Sequence, residues 1–238
     1  MKRNLAISII LVFAVAASGQ STTDTSAKAA ADVAKTALKA HGGEKLSGIK
    51  TLSLTGSVDV TASGAPQPIP ATFAMVFAGE KYRLDINNPF QPLSQAFDGV
   101  NTQSTAPNGF ELPPVNRVGF IMLSKVGDAK FPITDLPAAS KKKNGFRITS
   151  PEGFYTDYFV DEKTGLLKGY ESSYDVNGRT VTTSVAIDKC RLVEGVLVPE
   201  RFSQRFDLGQ FTAYADFKAK DIRVNGAVDD DVFKLKKK

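Results

Sequence analysis

The spacing of apolar positions changes along the chain and marks out its elements. Ala30, Val33, Ala34, Ala37, Leu38 and His41 recur three and four residues apart, on one face of a helix. Thr25 or Ser26 is placed to cap that helix. Gly42-Gly43 is placed to stop it, because glycine accepts the left-handed conformation there. A stripe made mostly of alanine predicts a close approach to the face of a sheet. From residue 50 the period falls to two. Leu52, Leu54, Val58 and Val60 alternate with polar neighbours, as do Tyr82, Leu84 and Ile86. Phe73, Met75 and Phe77 share one face of the strand between them, and residues 94–104 give a weaker pair of strands around Asp98-Gly99.

Residues 105–143 break the pattern. Pro107, Pro113, Pro114, Pro132 and Pro137 punctuate them, around the apolar run Val118–Leu123. A short helix is predicted at about 114–126, with Pro114 in its first turn. After Gly145 the chain is strand and turn to its end. Turn signals stand at Glu152-Gly153, Thr164-Gly165, Asn177-Gly178, Glu194-Gly195, Leu208-Gly209 and Asn225-Gly226. Asn177-Gly178 is the sharpest, since both central residues of a type I′ turn need positive φ.

An antiparallel sheet of about ten strands must curl, split into a sandwich or close on itself. The only other material is one alanine-striped helix and the central insertion, which favours a strongly curved sheet with an incompletely filled concave face. A β-sandwich would produce much of the same pattern. If the hollow exists, its wall residues are Phe73, Met75, Phe77, Phe120, Met122, Phe202 and Phe206, where the thioethers adapt to ligands of variable shape. The bland alternative is that all seven simply make core.

The N-terminus places the protein. Lys2 and Arg3 precede an apolar run from Leu5 to Ala17 and then small residues, the pattern of a cleaved signal peptide. The run is short for a membrane-spanning helix, which needs about 20 apolar residues. Cleavage is expected after Gly19, or after Ala16. The expected organisation is a signal peptide at 1–19, a flexible leader at 20–26 and a single domain at 27–238, exported to a periplasm. Loss of Lys2 and Arg3 lowers the formal charge from +5 to +3, too modest to define a partner. In an oxidising compartment the lone Cys190 has no internal partner and reads as a buried, inert thiol.

Composition limits the chemistry. One His, one Cys and no Trp leave no material for a histidine triad, a multi-histidine metal site or a disulfide framework. No Gly-x-Ser-x-Gly elbow or phosphate-cradling loop is present. Asp157 and Glu171 could face each other across strands, but nothing else marks a reaction. His41 reads as a helix-end side chain favoured by the dipole, and Asp229-Asp230-Asp231 as a solvated turn. Lys141, Lys142 and Lys143 read by default as solvated charge. Their functional alternative is a rim attracting anionic headgroups. Nucleic acid, metal and cofactor are not expected.

Four segments resemble the exported LolA-like superfamily, most nearly its bacterial outer-membrane lipoprotein-sorting proteins. They are Ala40-His41-Gly42-Gly43 leading through Leu46 and Ile49 into Lys50–Gly56, Phe97-Asp98-Gly99, Phe159–Leu167, and Val193–Pro199. The resemblance implies a mainly β fold with flanking helices: a curved antiparallel half-barrel with an N-terminal helix and a central helical insertion. It also implies a non-catalytic carrier or sensor that shelters lipid or lipoprotein acyl chains. A membrane-bound donor or acceptor protein is a candidate partner, and a monomer is expected. No individual functional residue carries over, because the family's pocket positions are apolar and variable. The alternative on the same fold is a sensory or protein-interaction module. In the carrier reading, opening requires the insertion around Phe120 to move.

Overall fold

The computed structural model describes residues 21–62, 67–90, 92–106, 112–140, 144–176, 178–207 and 212–235. The expected signal peptide and Lys141–Lys143 lie outside them. Helix α1 (Ser21–Ala40) and the single turn α2 (Glu44–Ser47) precede the sheet. The strands are β1 (Thr51–Ala62), β2 (Ile69–Ala78), β3 (Lys81–Asn87), β4 (Leu93–Phe97), β5 (Thr102–Ser104) and β6 (Ile133–Thr134). After them come β7 (Gly145–Thr149), β8 (Tyr155–Val160), β9 (Leu167–Val176), β10 (Arg179–Val193), β11 (Val196–Asp207) and β12 (Thr212–Val224).

All twelve strands form one open antiparallel sheet, in the order β5-β4-β3-β2-β1-β12-β11-β10-β9-β8-β7-β6. This decides for the half-barrel and against the sandwich. Each half is a meander, and β1 joins the halves by pairing with β12 from Leu52↔Val224 to Ala62↔Ala213. The register slips between Thr55 and Gly56, where a Cβ would lie 2.0 Å from the Lys218 carbonyl oxygen. Only glycine fits that bulge.

The strand order explains why the centre of the sequence departs from sheet patterning. β5 and β6 are consecutive in sequence but form opposite edges of the sheet, so residues 105–132 must cross its full width. Both edge strands are short, which limits edge-to-edge pairing with other chains. The crossover contains no α-helix among its described residues, in contrast to the helix expected at 114–126. Arg117 N donates to Pro114 O in a tight turn, Gly119 then takes φ 81° and ψ −156°, and a 3₁₀ helix follows over Phe120–Lys125. The Gly119 conformation is incompatible with a continuous helix and is open essentially to glycine alone.

α1 buries the predicted stripe: Ala30, Ala34, Ala37 and His41 are all buried, and the helix lies against β6 and β7. The helix begins at Ser21, however, and runs through the expected leader, so Thr25 and Ser26 do not start it. Extending a nucleated helix costs little per residue, which is why a polar prefix can join it. One continuous core contains the α1 stripe, Phe120–Leu123 and the inward side chains of the sheet from Phe73 and Leu54 across to Phe146 and Ile148.

Two turns sharpen the reading. Asn177 lies outside the described residues, but Arg179 pairs with Val176 and Gly178 has φ 77°, consistent with a two-residue hairpin. At the β10–β11 hairpin both Glu194 (φ 50°) and Gly195 (φ 80°) are left-handed, and Val193 pairs with Val196. This is the type I′ geometry, with a glutamate where asparagine or glycine is favoured. Glu194→Asn is expected to stabilise the protein by about 0.5 kcal/mol, raising Tm by about 1–2 °C in a thermal melt. An unchanged or lower Tm contradicts it.

Candidate functional site

The crossover and the inner face of the sheet enclose a cavity of ≈ 70 Å³. Its sheet wall is built from Leu52 and Leu54 of β1, Met75 and Phe77 of β2, and Val198 and Phe202 of β11. Pro113, Val115, Val118, Phe120 and Ile121 of the crossover close it. Of the seven wall residues named from sequence, Met75, Phe77, Phe120 and Phe202 line this cavity. Phe73, Met122 and Phe206 do not; they are buried elsewhere in the same core. Phe73 packs edge-on against Phe217 at 5.0 Å, and Phe217 stacks on Phe202 at 4.7 Å.

One wall is polar, and the sequence pattern did not single it out. Tyr170 and Ser172 of β9, Thr183 of β10 and Gln204 of β11 also face the cavity. Their hydrogen bonds are internal. Thr156 Oγ1 lies 2.9 Å from Ser172 Oγ, Gln204 Nε2 donates to Thr183 Oγ1 at 2.7 Å, and Thr183 Oγ1 donates to the Arg205 carbonyl at 3.0 Å.

This polar band holds the crossover down. Gly119 N donates to Thr156 Oγ1 at 3.0 Å, and the Gly119 carbonyl accepts from Tyr158 Oη at 2.7 Å. Tyr170 packs its ring and hydroxyl against Gly119. Burial pushes both phenols above the usual tyrosine range, so they remain uncharged at any physiological pH. Two hydrogen bonds thus hold the peptide units on either side of Gly119, a glycine in a conformation no other residue adopts easily.

His41 anchors the other end. Its ring is fully buried, with Nδ1 2.7 Å from the Leu197 carbonyl and Nε2 accepting from Leu167 N at 3.1 Å. Because Nε2 accepts, the donor proton sits on Nδ1, and both nitrogens are satisfied in the neutral ring. The ring meets Phe120 edge-on at 5.6 Å, so the clamp also touches the crossover. Burial lowers its pKa from 6.5, only partly opposed by the bond to Leu197. The helix-end reading therefore understated it: His41 ties α1 to β9 and β11.

The remaining sequence candidates are structural. Asp157 and Glu171 do face each other across β8 and β9, but Arg147 holds Asp157 through two bonds of 2.6 and 2.8 Å, and Glu171 accepts from Ser184 Oγ at 3.2 Å. Asp229 caps a 3₁₀ turn at Asp231 N, while Asp230 and Asp231 pair with Lys81 and Lys234 at 2.8 Å. Cys190 is half-buried rather than buried, and burial with nearby Glu200 pushes its thiol up to about 11. Among the described residues no group of His, Cys, Asp or Glu could hold a metal ion, and no helix is long and apolar enough to cross a membrane.

A larger hollow, ≈ 1020 Å³, opens on the outer face over β8–β12. Asp161, Glu162, Lys163, Lys168, Glu171 and Arg205 are among its lining residues. It is wide and lined by mixed charge, with no converging set of buried groups. The small inner cavity instead has an apolar sheet wall, a polar wall and the hydrogen-bonded crossover as its cover.

No family model and no curated protein matches the sequence. Solved structures do match. A LolA superfamily protein from Nitrosomonas europaea superimposes with a TM-score of 0.50 at 13% identity, over 84% of this chain and 97% of that one. The fold is LolA-like. Two further matches are a DUF1329 family protein from Desulfovibrio piger (TM-score 0.47, 9% identity, 88% and 97% covered) and a domain assigned as an outer membrane lipoprotein-sorting protein from Vibrio parahaemolyticus (0.48, 8%, 87% and 97%). At these identities the likeness concerns the fold alone. The LolA-like half-barrel supplies the curved wall and the crossover; what the cavity takes must be argued from its own side chains.

Proposed function

We propose that the chain is an exported, non-catalytic carrier that shelters the acyl chain of a lipid or lipoprotein between its sheet and its crossover. The observation that carries this reading is a latched cover over a cavity with one wholly apolar wall. At ≈ 70 Å³ the cavity under the crossover is far below the 300–1,000 Å³ of occupied ligand sites. Residues 112–126 are therefore the lid, and binding requires them to lift.

The energetics permit this. About ten buried methylenes contribute about 8 kcal/mol. The two clasping hydrogen bonds are each worth about 1 kcal/mol net. The lid's own apolar side chains can re-bury against the ligand, so an acyl chain can displace the latch with affinity to spare. The signal-like N-terminus, beside the LolA-like fold, supports a periplasmic location for such a carrier.

The test is uptake of the uncharged fluorescent probe N-phenyl-1-naphthylamine by the purified protein, together with mass spectrometry of lipids that co-purify from the native envelope. The protein should take up the probe in a saturable manner. Phe120→Asp should weaken uptake by about tenfold or more, because it puts a carboxylate against an apolar wall. Absence of uptake, with no co-purifying lipid, sinks the carrier reading. A crosslinked protein partner would then favour the interaction module.

A further inference from the structure

A second, smaller hollow of ≈ 50 Å³ adjoins the cavity and shares Leu52, Phe77 and Ile121 with it. Its character is different. Beyond Ile49, the rest of its lining is Lys50, Thr51, Gly79, Asn116, Ser124 and Lys125, so the apolar interior runs into a polar, basic end.

Asn116 is the informative residue. It is 95% buried, its Nδ2 donates to the Glu80 carbonyl at 2.8 Å, and its Oδ1 has no hydrogen-bond partner. The assignment of the two amide atoms is fixed, because the oxygen could not face a carbonyl. A buried acceptor without a donor is costly, about 1–3 kcal/mol, and marks a place where a donor belongs. The other polar groups of the hollow are already engaged: Ser124 Oγ donates to the Ile121 carbonyl and Thr51 Oγ1 to the Gly226 carbonyl, both at 2.7 Å.

The charges around it are unbalanced. Glu80, on the β2–β3 turn, pairs with Arg117 and lies 3.7 Å from Lys125. Arg117 is shared with Glu152 at 3.1 Å. Lys50 makes no ion pair among the described residues, and its exposed side chain stands at the mouth. A tail extending from the main cavity past Leu52, Phe77 and Ile121 would deliver its head to this cluster.

We infer that this hollow is the headgroup end of the same site, taking an amphiphile whose head is anionic and carries an adjacent hydroxyl or amide N–H for Asn116 Oδ1. This rests on the carrier reading and adds the chemical class of its ligand. It puts a headgroup contact at Lys50, Asn116 and Lys125; the rim expected at Lys141–Lys143 lies outside the described residues.

The experiment displaces bound N-phenyl-1-naphthylamine with molecules of equal tail and different head. Dodecyl phosphate should displace the probe at about fivefold lower concentration than dodecanol or dodecyltrimethylammonium. Lauroyl lysophosphatidate, which adds a hydroxyl beside the phosphate, should be stronger still. Inorganic phosphate alone should leave the probe bound, separating a lipid head from a free anion. Lys50→Glu should abolish the anionic preference, and Asn116→Leu should remove the gain from the hydroxyl. If the probe binds but all heads compete equally, or the preference survives Lys50→Glu, the headgroup assignment is overturned and the carrier reading stands. Failure of the probe to bind at all overturns both.

Discussion

Replacing His41 by leucine is expected to lower stability by about 3–5 kcal/mol, although the two side chains are similar in volume. The substitution keeps the core filled but orphans two backbone groups, the part-buried Leu197 carbonyl and the buried Leu167 N–H. Each orphan costs about 1–3 kcal/mol, and the edge contact with Phe120 goes as well. Urea unfolding measures the change; a loss below about 1 kcal/mol would show that the clamp is incidental.

The same residue sets a pH dependence. Its folded pKa lies below the ordinary 6.5, so the unfolded chain takes up the proton first as pH falls. The stability contributed by the neutral ring is complete above pH 6.5. It is lost progressively as pH drops from there through the folded value, because a protonated Nε2 can no longer accept from Leu167 N. Wild-type protein should therefore lose stability below pH 6.5 in a step that His41→Leu lacks.

His41 also shows where sequence patterning reaches its limit. Its place on the helix face was legible from its spacing to Ala30, Ala34 and Ala37. Its partners were not, since they lie 126 and 156 residues away and contact it through backbone atoms whose side chains say nothing. The strands were legible for the complementary reason: alternation and turn residues are local, and the pairing at Asp98-Gly99 emerged as β4 and β5. Strand order is a global property. Without it the crossover reads as an insertion that forms its own helix, whereas its described residues, on the way from β5 to β6, run through a tight turn, left-handed Gly119, a 3₁₀ helix and left-handed Gly127.

The cavity was half legible for the same reason. Period-two spacing assigns Met75, Phe77 and Phe202 to an inward face, but whether an inward residue meets the lid or another strand depends on its position along the sheet. Phe73 is one residue pair from Met75 and meets Phe217 instead. The polar wall was hidden because Ser172 and Thr183 have the composition of a solvent face, and only the register with β8 and β11 turns them inward.

Gly119→Ala should make the protein less stable locally and yet tighten ligand binding. Gly119 holds φ 81° and ψ −156°, and an added Cβ would lie 3.2 Å from the Tyr170 ring and hydroxyl. The backbone conformation alone costs a non-glycine residue about 1–3 kcal/mol, and the contact with Tyr170 adds to it. That penalty applies to the latched state, in which Gly119 N and O are held by Thr156 and Tyr158. Once the lid lifts, the residue is free to relax. The open fraction should rise, and an apparent affinity limited by that fraction should improve by about tenfold for a shift of about 1.4 kcal/mol. Titration with N-phenyl-1-naphthylamine reads the affinity. Hydrogen exchange at Gly119 and Met122 reads the opening. Tyr158→Phe should move both in the same direction by a smaller amount. The sign of the effect discriminates between a site and a core: in a plain core, strain at Gly119 lowers stability and creates no binding. Enhanced exchange with unchanged or weaker probe binding would therefore show that the crossover is structural packing rather than a lid.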